Sequence, residues 1–291
     1  MNRRAEFDIL LALLLKKRSG MEKIMETLKR YCRLYDVFVK QFFKFLVQSK
    51  ADFLIGLIGF FLTQATGIVF LYLVFEQIPS LGSWTLEQLI FIYGFAQIPR
   101  GIDHLFTDNL WLVAWRLVVN GQFDRYMLRP MNLFFQVICE KLQPDALGEL
   151  LVGVILMVSS LSKGIVIVDA SHILFFVISI IAGAIIYTSV KLLFASLAFW
   201  MKISGPILYT AYQLADFAKY PTEIYQKIIR VIITWIIPFA FVAYLPASYF
   251  LREAVSPWTT IGIECILAVL FFTISYTIFQ KGTKAYESAG N

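Results

Sequence analysis

The side chains that could do chemistry are a few charged residues placed inside otherwise apolar sequence. Four of them lie at offsets of 0, 3, 4 and 8 residues, namely Arg100, Asp103, His104 and Asp108. This spacing puts all four on one face of a helix. A charge at the centre of a bilayer costs roughly 2.5 to 3.5 kcal/mol. Two interpretations stay open: the residues pair with one another on a helix that leaves the bilayer, or they line a polar vestibule that faces the cytoplasm.

A further charged residue, Lys191, lies deep in another apolar segment. From a central position its side chain is too short to reach water easily. We therefore expect a carboxylate or carbonyl partner, with Glu149 and Glu264 as candidates. A structural ion pair is the simpler interpretation, and a contact with a transported molecule is the alternative.

Enzyme motifs are missing from the sequence. The phosphate-binding pattern GxxxxGK[ST] does not occur, nor do GxGxxG, HExxH and GxSxG. The two histidines and three cysteines are too scattered for a zinc site or a disulfide framework. We expect no catalytic residue, metal site or cofactor in this chain, and no hydrolysis of ATP by the chain itself.

Composition excludes an ordinary soluble enzyme. Of 291 residues, 59% are hydrophobic and only 16% are charged, whereas about a quarter are charged in a typical soluble domain. The mean hydropathy is +0.71. Lipid must solvate most of the protein. The net charge of +6 could suit nucleic acid, but the cations follow membrane topology instead, so no nucleic-acid partner is expected.

The elements that must position these side chains are membrane helices. A span needs about 20 apolar residues, and five segments meet or nearly meet this condition: Ala51–Phe75, Ala146–Leu161, Ile173–Trp200, Ile228–Leu251 and Thr260–Phe279. A sixth, Leu86–Val119, would be about 51 Å long as one helix and contains Pro99 and Gly101 as a kink or break. We favour a second helix that emerges into the cytoplasm, in an all-α integral membrane protein with six transmembrane helices.

Lys and Arg positions predict the orientation. Residues 1–50 hold twelve of the 26 cations, and cytoplasmic segments retain positive charge. Both termini are thus predicted to be cytoplasmic, with a cytoplasmic segment at 1–50, the six-helix domain at 51–281 and a tail at 282–291. Within residues 22–47, apolar and basic residues alternate at helical spacing, which predicts a basic amphipathic helix at the inner membrane interface. The N-terminus does not read as a secretory signal, and residues 1–20 are either native or an upstream extension.

The loop after the second helix is the most distinctive stretch. It runs Asn120-Gly121-Gln122-Phe123-Asp124-Arg125-Tyr126-Met127-Leu128-Arg129-Pro130. Asn-Gly marks a tight turn, Gln122 to Leu128 can form about two helical turns, and Pro130 ends them. Phe123 and Met127, together with Tyr126, would form an apolar knob with Asp124, Arg125 and Arg129 around it. Such a peg could dock into a groove of another protein, or it could be an ordinary connecting turn.

Two motifs carry a resemblance to a known family. Gly121-Gln122-Phe123-Asp124 followed by Leu128-Arg129-Pro130 resembles the Gly-x-(Leu/Phe)-Asp…Leu-x-Arg-Pro segment of six-helix permease subunits of type 2 (ABC-2) ABC exporters. Lys219-Tyr220-Pro221, Ile224-Tyr225, Ile237-Pro238-Phe239 and Tyr244-Leu245-Pro246-Ala247 are similar to a second series in that family. The likeness covers roughly Met21 to Lys284.

The resemblance implies a permease that pairs with a second permease, identical or related, and with two cytoplasmic ATP-binding subunits. ATP and Mg would be bound by those partner subunits and not by this chain. By that likeness, the segment from Gly121 to Pro130 contains the coupling helix that docks into the ATPase, in a bacterial plasma membrane. The substrate is not selected by any pattern in the sequence.

Two other classes compete with this hypothesis. A secondary transporter driven by an ion gradient could use Arg100, Asp103, Asp108 and Lys191, although no internal repeat with matched broken helices is evident. A membrane enzyme or a scaffold is disfavoured because catalytic groupings are missing.

Overall fold

The computed structural model describes residues 26, 29–30, 33–37, 39–40, 50–166, 168–252 and 255–287. It separates into two compact units, Met1–Gln48 and Ser49–Asn291. In the first unit, the described residues from 26 to 40 are helical, and Lys40 contacts Asp36 one turn away at 2.5 Å. The rest of the predicted amphipathic helix lies outside the described residues.

The regular secondary structure in the described part of the second unit is helical, apart from an isolated bridge between Leu81 and Trp84. Its α-helices are α1 Lys50–Gln77, α2 Leu86–Thr107, α3 Asn109–Leu112, α4 Asp124–Met127, α5 Leu133–Glu140, α6 Ala146–Ser162, α7 Ala170–Ser196, α8 Ala198–Met201, α9 Gly205–Gln213, α10 Lys227–Val231, α11 Tyr244–Leu251 and α12 Ile263–Ala285. π-Helical turns occur at Val113–Leu117, Ile232–Ile236 and Trp258–Gly262, and 3-10 turns at Leu214–Lys219, Thr222–Ile224 and Phe239–Phe241.

Side-chain caps fix the starts of two long helices. Thr85 and Gln88 form a capping box at α2, because each side chain accepts a hydrogen bond from the backbone N–H of the other. At α7, Asp169 Oδ1 accepts hydrogen bonds from the Ser171 hydroxyl at 2.7 Å and from the His172 amide at 2.8 Å. These bonds hold the pKa of the Asp169 carboxyl below its usual range.

Three helical stretches are long and apolar enough to cross a membrane: Phe53–Gln77, Ala170–Met201 and Trp258–Ala285. A fourth span results if Lys227–Ile236 and Phe239–Leu251, which meet at a bend of 69°, count as one. The chain is thus a multi-pass membrane protein.

Two predicted spans differ from this pattern. Helix α6 is only 17 residues long, below the usual length of a span. Helix α2 carries Glu87, Arg100 and Asp103, whose charges offset its apolar residues. By length and composition, three to four helices in the described part of the chain can cross a membrane, whereas the sequence predicts six.

Pro99 does not end the second helix. Helix α2 continues through it to Thr107, and Asp108 separates it from α3. Gly101 serves close packing instead, because a Cβ there would lie 2.8 Å from Leu150 Cδ2 on α6. Gly94 and Gly153 likewise face each other's helix, and a Cβ on Gly153 would lie 3.0 Å from the Gly94 carbonyl oxygen. Tight packing between α2 and α6 supports the helix across the break that the sequence predicts.

Two buried clusters form the core of the second unit. The larger one joins α2, α7 and the Phe239–Leu251 region, with Phe95 packed on Phe176 at 5.7 Å and on Phe250 at 5.8 Å between ring centroids. The smaller one lies around the 120–130 loop and includes Phe123, Tyr126 and Phe199. The two candidate sites lie beside these clusters.

Candidate functional site

The first candidate site is a group of charged side chains buried between α2, α6, α7 and the Leu214–Lys219 turn, called here the charge cluster. Its described charged or titratable members are Arg100, Asp103, His104, Asp108, Glu149, Lys191, Asp216 and Lys219. It brings together all five intramembrane residues that the sequence singles out. It also adds three residues from other elements.

Lys191 pairs with two carboxylates, one on α2 and one on the residue that follows α2. Its Nζ lies 2.8 Å from Asp103 Oδ2 and 3.1 Å from Asp108 Oδ1. Asp103 also accepts hydrogen bonds from the hydroxyls of Thr188 and Tyr212. The carboxylate and the ammonium group are therefore compensated within the protein, as buried charges require.

Lys191 has carboxylate partners, as expected, but neither named candidate, Glu149 or Glu264, is one of them. Glu149 lies near Arg100 and His104, at 3.6 Å from each, and Glu264 accepts a hydrogen bond from Ser179 at 2.6 Å. The correct partners were already visible on the charged face of α2. A sequence does not show which faces of two helices meet, so it could not match that face to Lys191.

Arg100 has its shortest ion pair with a residue that the sequence analysis did not single out. Its Nη1 lies 2.7 Å from Asp216 Oδ1, and Lys219 Nζ lies 2.9 Å from the same oxygen. Lys219, which the sequence analysis named only as part of the Lys219-Tyr220-Pro221 motif, is only 8% exposed. The spacing of three residues between Asp216 and Lys219 was the available signal, because it lets these two side chains pair with each other within one turn.

Pairing along α2 itself is minor. His104 Nε2 and Asp108 Oδ2 lie 3.7 Å apart, and the Thr107 hydroxyl donates a hydrogen bond to the Asp103 carboxylate. The other ion pairs of these four residues are formed with other elements. Beside this face lies a cavity of about 310 Å³. Its lining includes Arg100, His104, Asp108 and Glu149 together with the rings of Phe60, Trp111, Tyr209 and Tyr212. The four residues therefore pair mainly with other elements and not with one another, and three of them line a cavity with charged and aromatic walls.

The second candidate site is the loop from Gly121 to Pro130, called here the loop segment. Gly121 has φ of +68°, a conformation that favours glycine, and the turn leads into α4. The helix covers Asp124–Met127, which is shorter than the predicted Gln122–Leu128. It ends before Pro130, as predicted.

The loop segment is anchored by two aromatic residues. Phe123 is 0% and Tyr126 is 1% exposed. The Phe123 ring packs against Phe199 at 4.9 Å and Tyr286 at 5.5 Å between centroids. The structure therefore differs from the predicted apolar knob. Phe123 and Tyr126 point into the core, because their rings complete the smaller cluster.

Exposed apolar surface on the loop segment comes from its other end. Met127 is 48% exposed and Leu128 is 85% exposed. The sequence analysis included Met127 in the knob but not Leu128. Met127 and Leu128 thus form an exposed apolar surface at this end of the loop segment.

Polar contacts fix the same segment against α5. Arg125 Nη2 lies 2.6 Å from Glu140 Oε1, the Tyr126 hydroxyl donates to the other Glu140 oxygen, and the Gln136 amide donates to the Tyr126 carbonyl at 3.1 Å. Burial raises the pKa of Glu140 despite the nearby Arg125 guanidinium. At the end of α12, burial and the Asp124 carboxylate raise the pKa of Tyr286 to about 12. The loop segment is thus attached to two helices.

Groups of His, Cys, Asp and Glu that could hold a metal ion are absent from the described part of the chain.

A family model described as ABC-2 family transporter protein matches residues 61–290. No curated protein matches the chain. The matched range contains both the charge cluster and the loop segment.

Proposed function

The chain belongs to the ABC-2 family of transporter proteins, and from this premise we propose that it is the permease subunit of an ATP-driven exporter. Two cytoplasmic ATP-binding subunits and a second permease, identical or related, complete the assembly. The ATP-binding subunits bind ATP and Mg. The absence of a phosphate-binding loop in the sequence supports this division of roles.

The proposal extends the membrane topology to six spans. Helices α2 and α6 add two spans to the three apolar stretches and the bent pair. Their charged or short character is compatible with a span because α2 and α6 pack closely on each other and the charges are paired inside the protein. Both termini then lie on the cytoplasmic side of a bacterial plasma membrane, in agreement with the distribution of Lys and Arg.

One observation carries the coupling role of the loop segment: the same short turn is buried at Phe123 and Tyr126 and exposed at Met127 and Leu128. A partner that docks on the exposed end would push directly on residues packed against Phe199 and Tyr286. The displacement would pass to α8 and to the end of α12. Arg125 and its Glu140 contact would hold the turn in register.

The alternative, an ion-coupled secondary transporter, needs charged groups that can release or bind an ion. In the charge cluster, Lys191 and Asp103 contact each other at hydrogen-bond distance. This mutual pairing supports a structural role for them and favours the ATP-driven proposal.

Two measurements test the proposal. Proteoliposomes with the chain and its ATPase should transport substrate only with ATP, whereas the chain alone under a proton or sodium gradient should not. A photo-crosslinking residue at Leu128 should form an adduct with the ATPase, and the same residue at Val168, on the opposite loop, should not. Transport by the chain alone, or equal adducts at the two positions, would overturn the assignment.

A further inference from the structure

Both ring nitrogens of His104 face a carboxylate. Nδ1 lies 3.6 Å from Glu149 Oε2 on α6, and Nε2 lies 3.7 Å from Asp108 Oδ2, one turn further along the chain. A neutral imidazole has a proton on one nitrogen and a lone pair on the other. In that form one of the two carboxylates would face a lone pair, which repels it. Only the doubly protonated ring presents an N–H group to both carboxylates.

The charge cluster is neutral only if His104 is charged. The carboxylates of the cluster are Asp103, Asp108, Glu149 and Asp216, and its lysine and arginine members are Arg100, Lys191 and Lys219. With a neutral ring, these described residues would hold one negative charge in excess. A charge that is buried without a partner is costly. An imidazolium at His104 brings the sum to zero.

His104 lies where the other cations compensate least. Asp108 is 3.1 Å from Lys191 Nζ, but another carboxylate lies at 2.8 Å from the same nitrogen. Glu149 is 3.6 Å from Arg100, which also has a closer carboxylate, at 2.7 Å. Asp108 and Glu149 are thus the more distant partners of a shared cation. They are also the two carboxylates that His104 contacts.

The remaining elements around the ring oppose this charge only weakly. On α7, Lys191 repels a cation at His104, but two carboxylates hold its ammonium group. On α9, the phenols of Tyr209 and Tyr212 line the cavity that His104 shares. On α1, the uncharged ring of Phe60 lies 5.2 Å from the imidazole between centroids. The nearest charges that act on His104 from outside α2 are therefore dominated by Glu149.

We propose that His104 is a proton-binding site and that its imidazolium clamps α2 to α6. Loss of the proton leaves Glu149 with Arg100 as its one ion-pair partner among the described residues. The contact between the two helices then weakens as the pH rises above neutral. The cavity of about 310 Å³ beside the ring gives the proton a route of exchange. The clamp needs neither proton transport nor the ATPase, so its failure would leave the proposed function standing.

The experiment is nitrogen NMR of the full chain in detergent micelles, with isotope-labelled histidine and a purification tag that contains no histidine. The chain has two histidines, so in His172→Gln every imidazole signal comes from His104. At about pH 7.5 an ordinary histidine, with a pKa of about 6.5, is mostly neutral. We expect His104 to show the nitrogen shifts of an imidazolium at this pH. The shifts of a neutral imidazole would overturn the proposal.

Matched variants in the same background assign the charge to the contact with α6. In Glu149→Gln, the ratio of charged to neutral His104 should fall at least about tenfold, because one of its two carboxylates is lost. Glu264→Gln removes another buried carboxylate, one that binds Ser179 instead, and should leave the signal unchanged. An imidazolium that persists in Glu149→Gln, or an equal loss in both variants, would contradict the assignment.

Thermal unfolding tests the clamp itself. Raising the pH from about 7 to about 9 should lower the unfolding temperature of the native chain by about 2 °C or more beyond the decrease in His104→Gln, because only the native chain has this proton to lose. Equal decreases in both proteins would overturn the clamp. Should either variant fail to fold, the nitrogen shifts of His104 in His172→Gln still decide whether the proton is bound.

Discussion

The ammonium nitrogen of Lys191 lies 2.8 Å from Oδ2 of Asp103, and neither side chain is reached by solvent. The two residues are far apart in sequence and join α7 to α2. Lys191 also contacts Asp108 just past the end of α2. The pair thus holds two helices together at the polar part of their interface.

Replacing Lys191 by Met should destabilise the protein by about 3–5 kcal/mol, because two carboxylates lose their cation. The measurement is thermal unfolding of the purified chain in detergent. The double variant Lys191→Met with Asp103→Asn removes one of the orphaned charges and should recover part of the loss. An unchanged unfolding temperature in the single variant would show that the ion pair is not structural.

Leu128→Asp should leave the unfolding temperature unchanged, because this side chain is 85% exposed. It should lower the affinity for the ATPase about tenfold or more, as expected for an apolar contact residue at the centre of an interface. Affinity is measured by co-purification at graded ATPase concentrations. Val168→Asp, at another exposed apolar residue, serves as the control, and equal losses in both variants would remove the specific role of Leu128.

Tyr286→Ala should loosen the loop segment, because the tyrosine ring packs on Phe123. Backbone amide hydrogen exchange at Phe123 and Tyr126 should increase about tenfold or more through local opening. Tyr286→Phe keeps the ring and should show a much smaller increase. Exchange that stays at the native rate in Tyr286→Ala would mean that the segment is anchored without the tyrosine ring.

Gly153→Ala should destabilise the protein by about 1–3 kcal/mol through overpacking, because the new Cβ would lie 2.9 Å from Ile98 Cγ1. Gly59→Ala is the matched control. A Cβ at that position meets nothing within 4 Å, so its effect should be neutral or stabilising by about 0.4–1 kcal/mol. The unfolding temperatures of both variants are compared in one detergent. Equal unfolding temperatures would contradict close packing at Gly153.

The apolar spans could be predicted from the sequence because length and hydropathy are local properties. Ala170–Met201 contains the predicted Ile173–Trp200 segment. The course of the second helix through Pro99 could not be predicted in the same way, because Pro99 disfavours a helix locally and packing against α6 and α7 sustains it. Local preference and tertiary packing disagree at this residue, and packing determines the result.

The charged residues of α2 could be assigned to one face from spacing alone. Their partners could not, since Lys191, Glu149 and Asp216 come from three other elements. In the loop segment, the residue types predicted a short helix near Pro130, but not that Phe123 points inward. That direction depends on Phe199 and Tyr286, which lie much later in the chain.

The bend of 69° between Lys227–Ile236 and Phe239–Leu251 has a mechanical consequence. Pro238 has no backbone N–H to continue the hydrogen-bond ladder, so the two halves are joined by a hinge and not by a stiff rod. The second half packs on Phe91 and Phe95 through Phe250, whereas the first half ends in the exposed side chains of Trp235 and Ile236. The joint therefore separates a half that is fixed in the larger buried cluster from a half whose residues lie outside that cluster.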